Sequence, residues 1–107
     1  MNIRQKLASY ALVHTHTSGG PKARGFELLL GITLDQIDYL ETEIRSGILK
    51  VPVSAVRPNH PHGFNCVVEL QIRGVEKREM HLATVRTVWE MSRRGSRPRL
   101  VTAFPRS

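Results

Sequence analysis

Five histidines in 107 residues supply the side chains that most readily take and give protons near neutral pH. Four of them fall in two turn-rich stretches. His14 and His16 precede the run Gly19-Gly20-Pro21, and His60 and His62 sit among Pro58, Asn59, Pro61 and Gly63. A loop histidine is ordinarily a solvated surface group, but two such pairs in a short chain make acid–base chemistry a reading to carry forward. Gly19 and Gly20, followed by Pro21 and Lys22, could offer bare backbone amides and an ammonium to an anion at a helix N-terminus. The same glycines could equally serve only to let the chain bend. The spacing is not that of a Walker loop, because no Lys-Ser/Thr pair follows.

A second set of groups lies late in the chain. Arg86 alternates with Met80, Leu82, Thr84 and Val88, which places a cation on an apolar strand face where it needs a partner. Glu27, Glu41 or Glu69 could supply it through a salt bridge, and a phosphate held bidentately would serve as well. Thr87 and Thr102 could add hydroxyl donors, although threonine is also simply a good strand residue. Trp89 reads as core, with base stacking as the alternative. Arg93, Arg94, Arg97, Arg99 and Arg106 concentrate positive charge near the C-terminus, either as a solvated loop or as a rim that follows phosphates.

The elements that must position these groups follow from periodicity. Ile3, Leu7, Tyr10 and Ala11 predict an amphipathic helix over about residues 3–13. Pro21 opens a second helix with Ala23, Phe26, Leu29 and Leu30 on its apolar face and Gly31 as its stop. Thr33 and Gln36 form a capping box, flanked by the apolar pair Ile32 and Ile37. A third helix therefore starts at Leu34, buries Ile37, Leu40 and Ile44, and ends at Gly47. From Ile48 the period becomes two: a first strand carries Val51, Val53 and Ala55 on one face, and Pro52 confines it to an edge. A central strand alternates Phe64, Cys66, Val68, Leu70 and Ile72. A third runs over 80–91 and a short fourth over 99–104, separated by a basic loop. Helices followed by strands predict an α+β fold with antiparallel pairing, in a single domain over 1–107 with a helical half to about residue 47.

Bulk composition narrows the function. Sixteen Lys and Arg against nine Asp and Glu give a formal charge of +7, which makes nucleic acid the leading partner. With 40% hydrophobic and 23% charged residues, the chain belongs with folded globular domains. The single Cys66 excludes an intramolecular disulfide, and no Cys/His spacing suggests zinc, so no metal or cofactor is expected. No apolar run approaches membrane-spanning length, and no secretory signal core is present at the N-terminus.

On these residues the sequence resembles polymorphic bacterial toxin domains of the barnase–EndoU–colicin–RelE (BECR) ribonuclease superfamily. The resemblance is carried by His16-Thr17-Ser18-Gly19-Gly20-Pro21-Lys22-Ala23, by Phe26 with Leu30-Gly31-Ile32, and by His62-Gly63-Phe64. Val85-Arg86-Thr87-Val88-Trp89 and Pro98-Arg99-Leu100-Val101-Thr102-Ala103-Phe104-Pro105 complete it. It implies helices packed on one face of a four-stranded antiparallel sheet, with an RNA cleft on the opposite face and its loops. It also implies metal-independent cleavage through the 2′-hydroxyl to a 2′,3′-cyclic phosphate, with tRNA first among substrates. Carried onto this chain, His16 is the base or acid, Lys22 and Arg86 stabilise charge, and Thr102 orients. His62 is a second acid–base group, at a place where relatives often have an aromatic residue. Arg24, Thr87, Arg93, Arg94, Arg97 and Arg99 would hold RNA.

A toxin of this kind acts in the cytoplasm of a target cell, often as the C-terminal part of a longer secreted protein in contact-dependent inhibition, and meets an acidic immunity protein. Two other classes fit the residues: a noncatalytic basic nucleic-acid-binding module, for which charge and Trp89 suffice, and a protein-interaction domain that pairs through the edge strand limited by Pro52.

Overall fold

The computed structural model describes residues 2–17, 19–59, 63–91 and 97–106; helices come first and strands after them, as the periodicity predicts. Ile3, Leu7 and Ala11 are fully buried, which is why the N-terminal segment coils. Helix α1, Ile3–Lys6, widens into a π turn over Leu7–Ala11, where the Leu12 N–H donates to Leu7 O five residues back at 3.0 Å. That wider turn moves Tyr10 off the buried stripe to a half-buried position.

Helix α2, Gly20–Leu30, buries Ala23, Phe26 and Leu30 and stops at Gly31, whose φ of 70° is one that a side chain disfavours. The expected capping box is present. Gln36 Oε1 accepts the Thr33 N–H at 2.8 Å and Thr33 Oγ1 accepts the Asp35 N–H at 3.3 Å, opening a 3-10 turn over Leu34–Gln36 that leads into α3, Ile37–Ile48. Gly47 is not the stop. The helix runs through it, and a Cβ there would lie 2.8 Å from Leu70 Cδ2, so its smallness serves the approach of helix to sheet.

Four antiparallel strands follow in the order β1 (Ala55–Asn59), β2 (Gly63–Arg73), β3 (Leu82–Met91) and β4 (Arg99–Arg106). The first strand begins later than periodicity suggests. Residues 51–54 are irregular, pairing starts only where Ser54 N–H donates to Val67 O at 2.8 Å, and the proline within β1 is Pro58, opposite Phe64. An edge strand tolerates that missing donor. β3 begins at Leu82 rather than Met80, which is exposed.

The two faces of the sheet differ. Cys66, Val68, Leu70 and Ile72 of β2, Val85, Thr87 and Trp89 of β3, and Leu100 and Ala103 of β4 are buried toward the helices. The alternate positions, Val67, Glu69, Arg86, Val88, Thr102 and Phe104 among them, are only half-buried and form the open face. A register shift at Val88/Trp89 pairs Val88 with Thr102 and Trp89 with Leu100, which turns Thr102 outward. Asn2 fastens the start of the chain to β4: its Oδ1 accepts the Leu100 N–H at 2.7 Å and its Nδ2 donates to Leu100 O at 3.1 Å.

Candidate active site

Lys22 is the hub of a cluster drawn from the first helical segment, the start of α2 and the edge strand β4. Its Nζ donates to Thr102 Oγ1 at 2.7 Å and to the Tyr10 hydroxyl at 2.9 Å. The ammonium also lies over two aromatic rings, 4.9 Å from the Tyr10 centroid and 5.4 Å from that of Phe104. His16 meets Tyr10 edge-on at 4.7 Å between centroids. Three residues expected from sequence, His16, Lys22 and Thr102, are therefore assembled in one place although Thr102 lies 80 positions from Lys22 in the chain.

Two backbone contacts fix this cluster. Gly19 N–H donates to His16 Nδ1 at 3.0 Å and Gly20 N–H to His16 O at 2.7 Å. Both glycine amides are thus engaged within the chain, and the expected bare-amide anion cradle is not formed by them. What the glycines provide is closeness: a Cβ on Gly19 would lie 2.1 Å from Tyr10 O and one on Gly20 2.6 Å from His14 O. Because Nδ1 accepts this hydrogen bond, a neutral His16 ring would carry its proton on Nε2.

The Tyr10 phenol is held below its ordinary pKa by the hydrogen bond from Lys22, with the charges of Lys22 and Lys6 and contact with Thr102 acting in the same direction and burial acting against them. Tyr10 is hidden in the sequence by its helical spacing with Leu7 and Ala11, which reads as core.

Across Phe104 lies a second group of charges. Phe104 pairs with Arg86 and Arg86 with Glu69 in the strand register, so the three form a row over the open face. Glu69 is the partner that Arg86 needs: Glu69 Oε2 accepts from Arg86 Nε at 3.3 Å and from Arg106 at 2.6 Å. These two guanidiniums, Arg106 first, hold the Glu69 carboxyl below the usual carboxylate range. Arg86 is not surrounded by apolar side chains, since its face is open and its side chain is 37% exposed. A shallow cleft of about 390 Å³ covers this region, lined by Arg57, Asn65, Glu69, Arg86, Val88 and Phe104 among others. Phe104 also lines a cavity of about 200 Å³ with Pro21 and Lys22. One aromatic ring therefore borders both spaces.

Thr87 is corrected as an RNA contact. It is fully buried on the helix side, where Oγ1 donates to Val68 O at 2.7 Å and accepts from Trp89 Nε1 at 2.8 Å. Trp89 itself is 3% exposed and belongs to the core. Arg24 is exposed on α2, Arg97 is exposed ahead of β4, and Arg99 is exposed opposite Glu90 in the register. His62, Arg93 and Arg94 lie outside the described residues. Among the described residues, no group of three or more His, Cys, Asp and Glu could hold a metal ion, and no helix is long and apolar enough to cross a membrane.

A family model, described as a domain of unknown function (DUF6883), matches residues 2–107. The chain belongs to that family. No curated protein and no solved structure matches it. For this DUF6883 member the site geometry is therefore the main guide to chemistry.

Proposed function

We propose that the domain is a metal-independent endoribonuclease toxin of the BECR type, cleaving RNA by attack of the 2′-hydroxyl to leave a 2′,3′-cyclic phosphate, with tRNA as the first substrate to test. The observation that carries this reading is the Lys22 cluster: an ammonium bonded to Thr102 and Tyr10 beside His16, at the border of an open basic sheet face. Lys22 and Arg86, on either side of Phe104, supply the positive charge that a developing phosphorane needs. His16, edge-on to Tyr10, is the acid–base group, Thr102 orients Lys22, and Phe104 gives a ring on which a base can stack. Arg24, Arg97 and Arg99 extend the positive surface.

Incubating the purified domain with total RNA in EDTA and sequencing the new ends tests the proposal. Discrete 2′,3′-cyclic phosphate and 5′-hydroxyl ends are expected. RNA that stays intact, or cleavage that vanishes with chelator and returns with Mg²⁺, would overturn it.

An acidic immunity protein covering His16, Lys22 and Arg86 is the matching partner, steered by charge and associating faster at low ionic strength. The place of action is the cytoplasm of a target cell. Growth arrest on expressing the domain alone, relieved by an acidic neighbouring gene product, is the expected outcome.

The second reading is a noncatalytic nucleic-acid-binding module, favoured by Arg57, Arg86 and Phe104 lining one open cleft. Salt-sensitive RNA binding by a domain that never cleaves would establish it.

A further inference from the structure

We infer that Tyr10, through its phenolic hydroxyl, is the catalytic acid that protonates the departing 5′ oxygen of the RNA; the inference rests on the ribonuclease reading above. The geometry favours a donor. The Tyr10 oxygen accepts an N–H from Lys22 at 2.9 Å, and an ammonium has no lone pair with which to take the phenolic proton in return. Thr102 Oγ1 in turn accepts from Lys22 at 2.7 Å, so within this trio the phenolic proton has only the remaining lone pair of that hydroxyl as acceptor, and a bound RNA oxygen competes for it. Once that proton is gone, Lys22 is already placed to stabilise the phenolate, with no rearrangement needed.

The charged groups around Tyr10 agree in sign. Lys22 from α2, Lys6 from the preceding turn at 5.7 Å from the ring, and Thr102 from β4 all favour the ionised phenol against the effect of burial, and an imidazole bears no negative charge that would oppose them. The phenol is thereby a stronger acid than a free tyrosine.

The step balances. The 2′ oxygen bonds to phosphorus and releases its proton to water; the bond from phosphorus to the 5′ oxygen breaks with its electron pair on oxygen; and that oxygen takes the Tyr10 proton. Water reprotonates the phenolate before the next turnover. The products are a 2′,3′-cyclic phosphate and a 5′-hydroxyl.

A pair of short RNAs carrying the linkage found by end sequencing, one with the natural 5′ oxygen and one with bridging sulfur in its place, tests the role. A thiolate departs without a proton, so the sulfur substrate bypasses the acid. Tyr10→Phe is expected to slow the oxygen substrate by roughly 10²–10⁴-fold and to cleave the sulfur substrate near the wild-type rate. Lys22→Ala should slow both. Affinity for a 2′-deoxy analogue should be unchanged by Tyr10→Phe, which separates chemistry from binding.

Where Tyr10→Phe does not fold, 3-fluorotyrosine at position 10 keeps ring and hydroxyl, and the alkaline fall in rate should move to lower pH. Equal loss by folded Tyr10→Phe on both substrates, no loss on either, or an unmoved alkaline limb would overturn the assignment while leaving the ribonuclease reading intact. A wild-type domain that cleaves neither substrate would overturn both.

Discussion

Two threonines on neighbouring strands, Thr87 and Thr102, show how one sheet does two jobs. Thr87 faces the helices, where its hydroxyl is shared between Val68 O and Trp89 Nε1. Thr102 faces outward, where the same hydroxyl accepts from the Lys22 ammonium. The chemistry of the side chain is identical and the face decides the role, because a buried donor must be satisfied within the fold while an open one can be shared with a ligand. On the ribonuclease reading, substitutions on the covered face should cost stability and those on the open face activity.

The largest expected effect lies on the open side. Lys22→Ala should lower RNA cleavage by roughly 10²–10³-fold, the order seen when one charge-stabilising donor is removed, with a melting temperature close to wild type. Cleavage assays alongside thermal melts check it, and a fully active Lys22→Ala would remove the cluster from the mechanism. Thr102→Val should cost activity in the same direction, while Thr87→Val should cost about 1–3 kcal/mol of stability by leaving the buried Trp89 N–H without an acceptor. If Thr87→Val instead abolished cleavage with unchanged stability, the division between faces would fail.

Much of this division is legible in the sequence. Alternation puts Thr87 with Val85 and Trp89 and opposite Arg86, so assigning it to RNA runs against a period that the residues already display. The capping box at Thr33 and the stop at Gly31 depend on neighbours a few residues away, and both are present in the structure. Gly47 reads as a stop because glycine often is one, but its reason is Leu70, on another element. Tyr10 could not be placed from spacing, since the π turn that swings it out of the stripe changes the period for a single turn. Pro58 looks like a turn residue until an edge strand gives its missing donor no partner to lose.

A smaller effect concerns the rim. Arg97→Ala together with Arg99→Ala should flatten the salt dependence of RNA binding by roughly one unit of slope for each phosphate that is no longer neutralised. Affinity measured across a salt series reads this directly, and an unchanged slope would assign both residues to the solvent.

The smallest effect comes from the row beside Phe104. Arg106 and Arg86 hold the Glu69 carboxyl below its unfolded value of about 4.3, so the pairing contributes stability above that pH and loses it as pH falls through the lower folded value. Melting temperature should therefore decline on acidification in the range below about pH 4, and Glu69→Gln should flatten that decline. A wild-type melting profile that is level through this range would show the row to be energetically silent.

The bonds that build the Lys22 cluster also set when it can exist. Asn2 is tied to a residue 98 positions away, and Lys22 to one 80 positions away, both in the last strand of the sheet. Helices form locally and early as a chain emerges from the ribosome, whereas pairings of such separation must wait for the distant partner. A nascent chain that has produced only α1 to β3 thus carries Tyr10, His16 and Lys22 without the strand that joins them. The cluster is complete only when β4 has been made and paired, so on the ribonuclease reading an unfinished chain would be inactive.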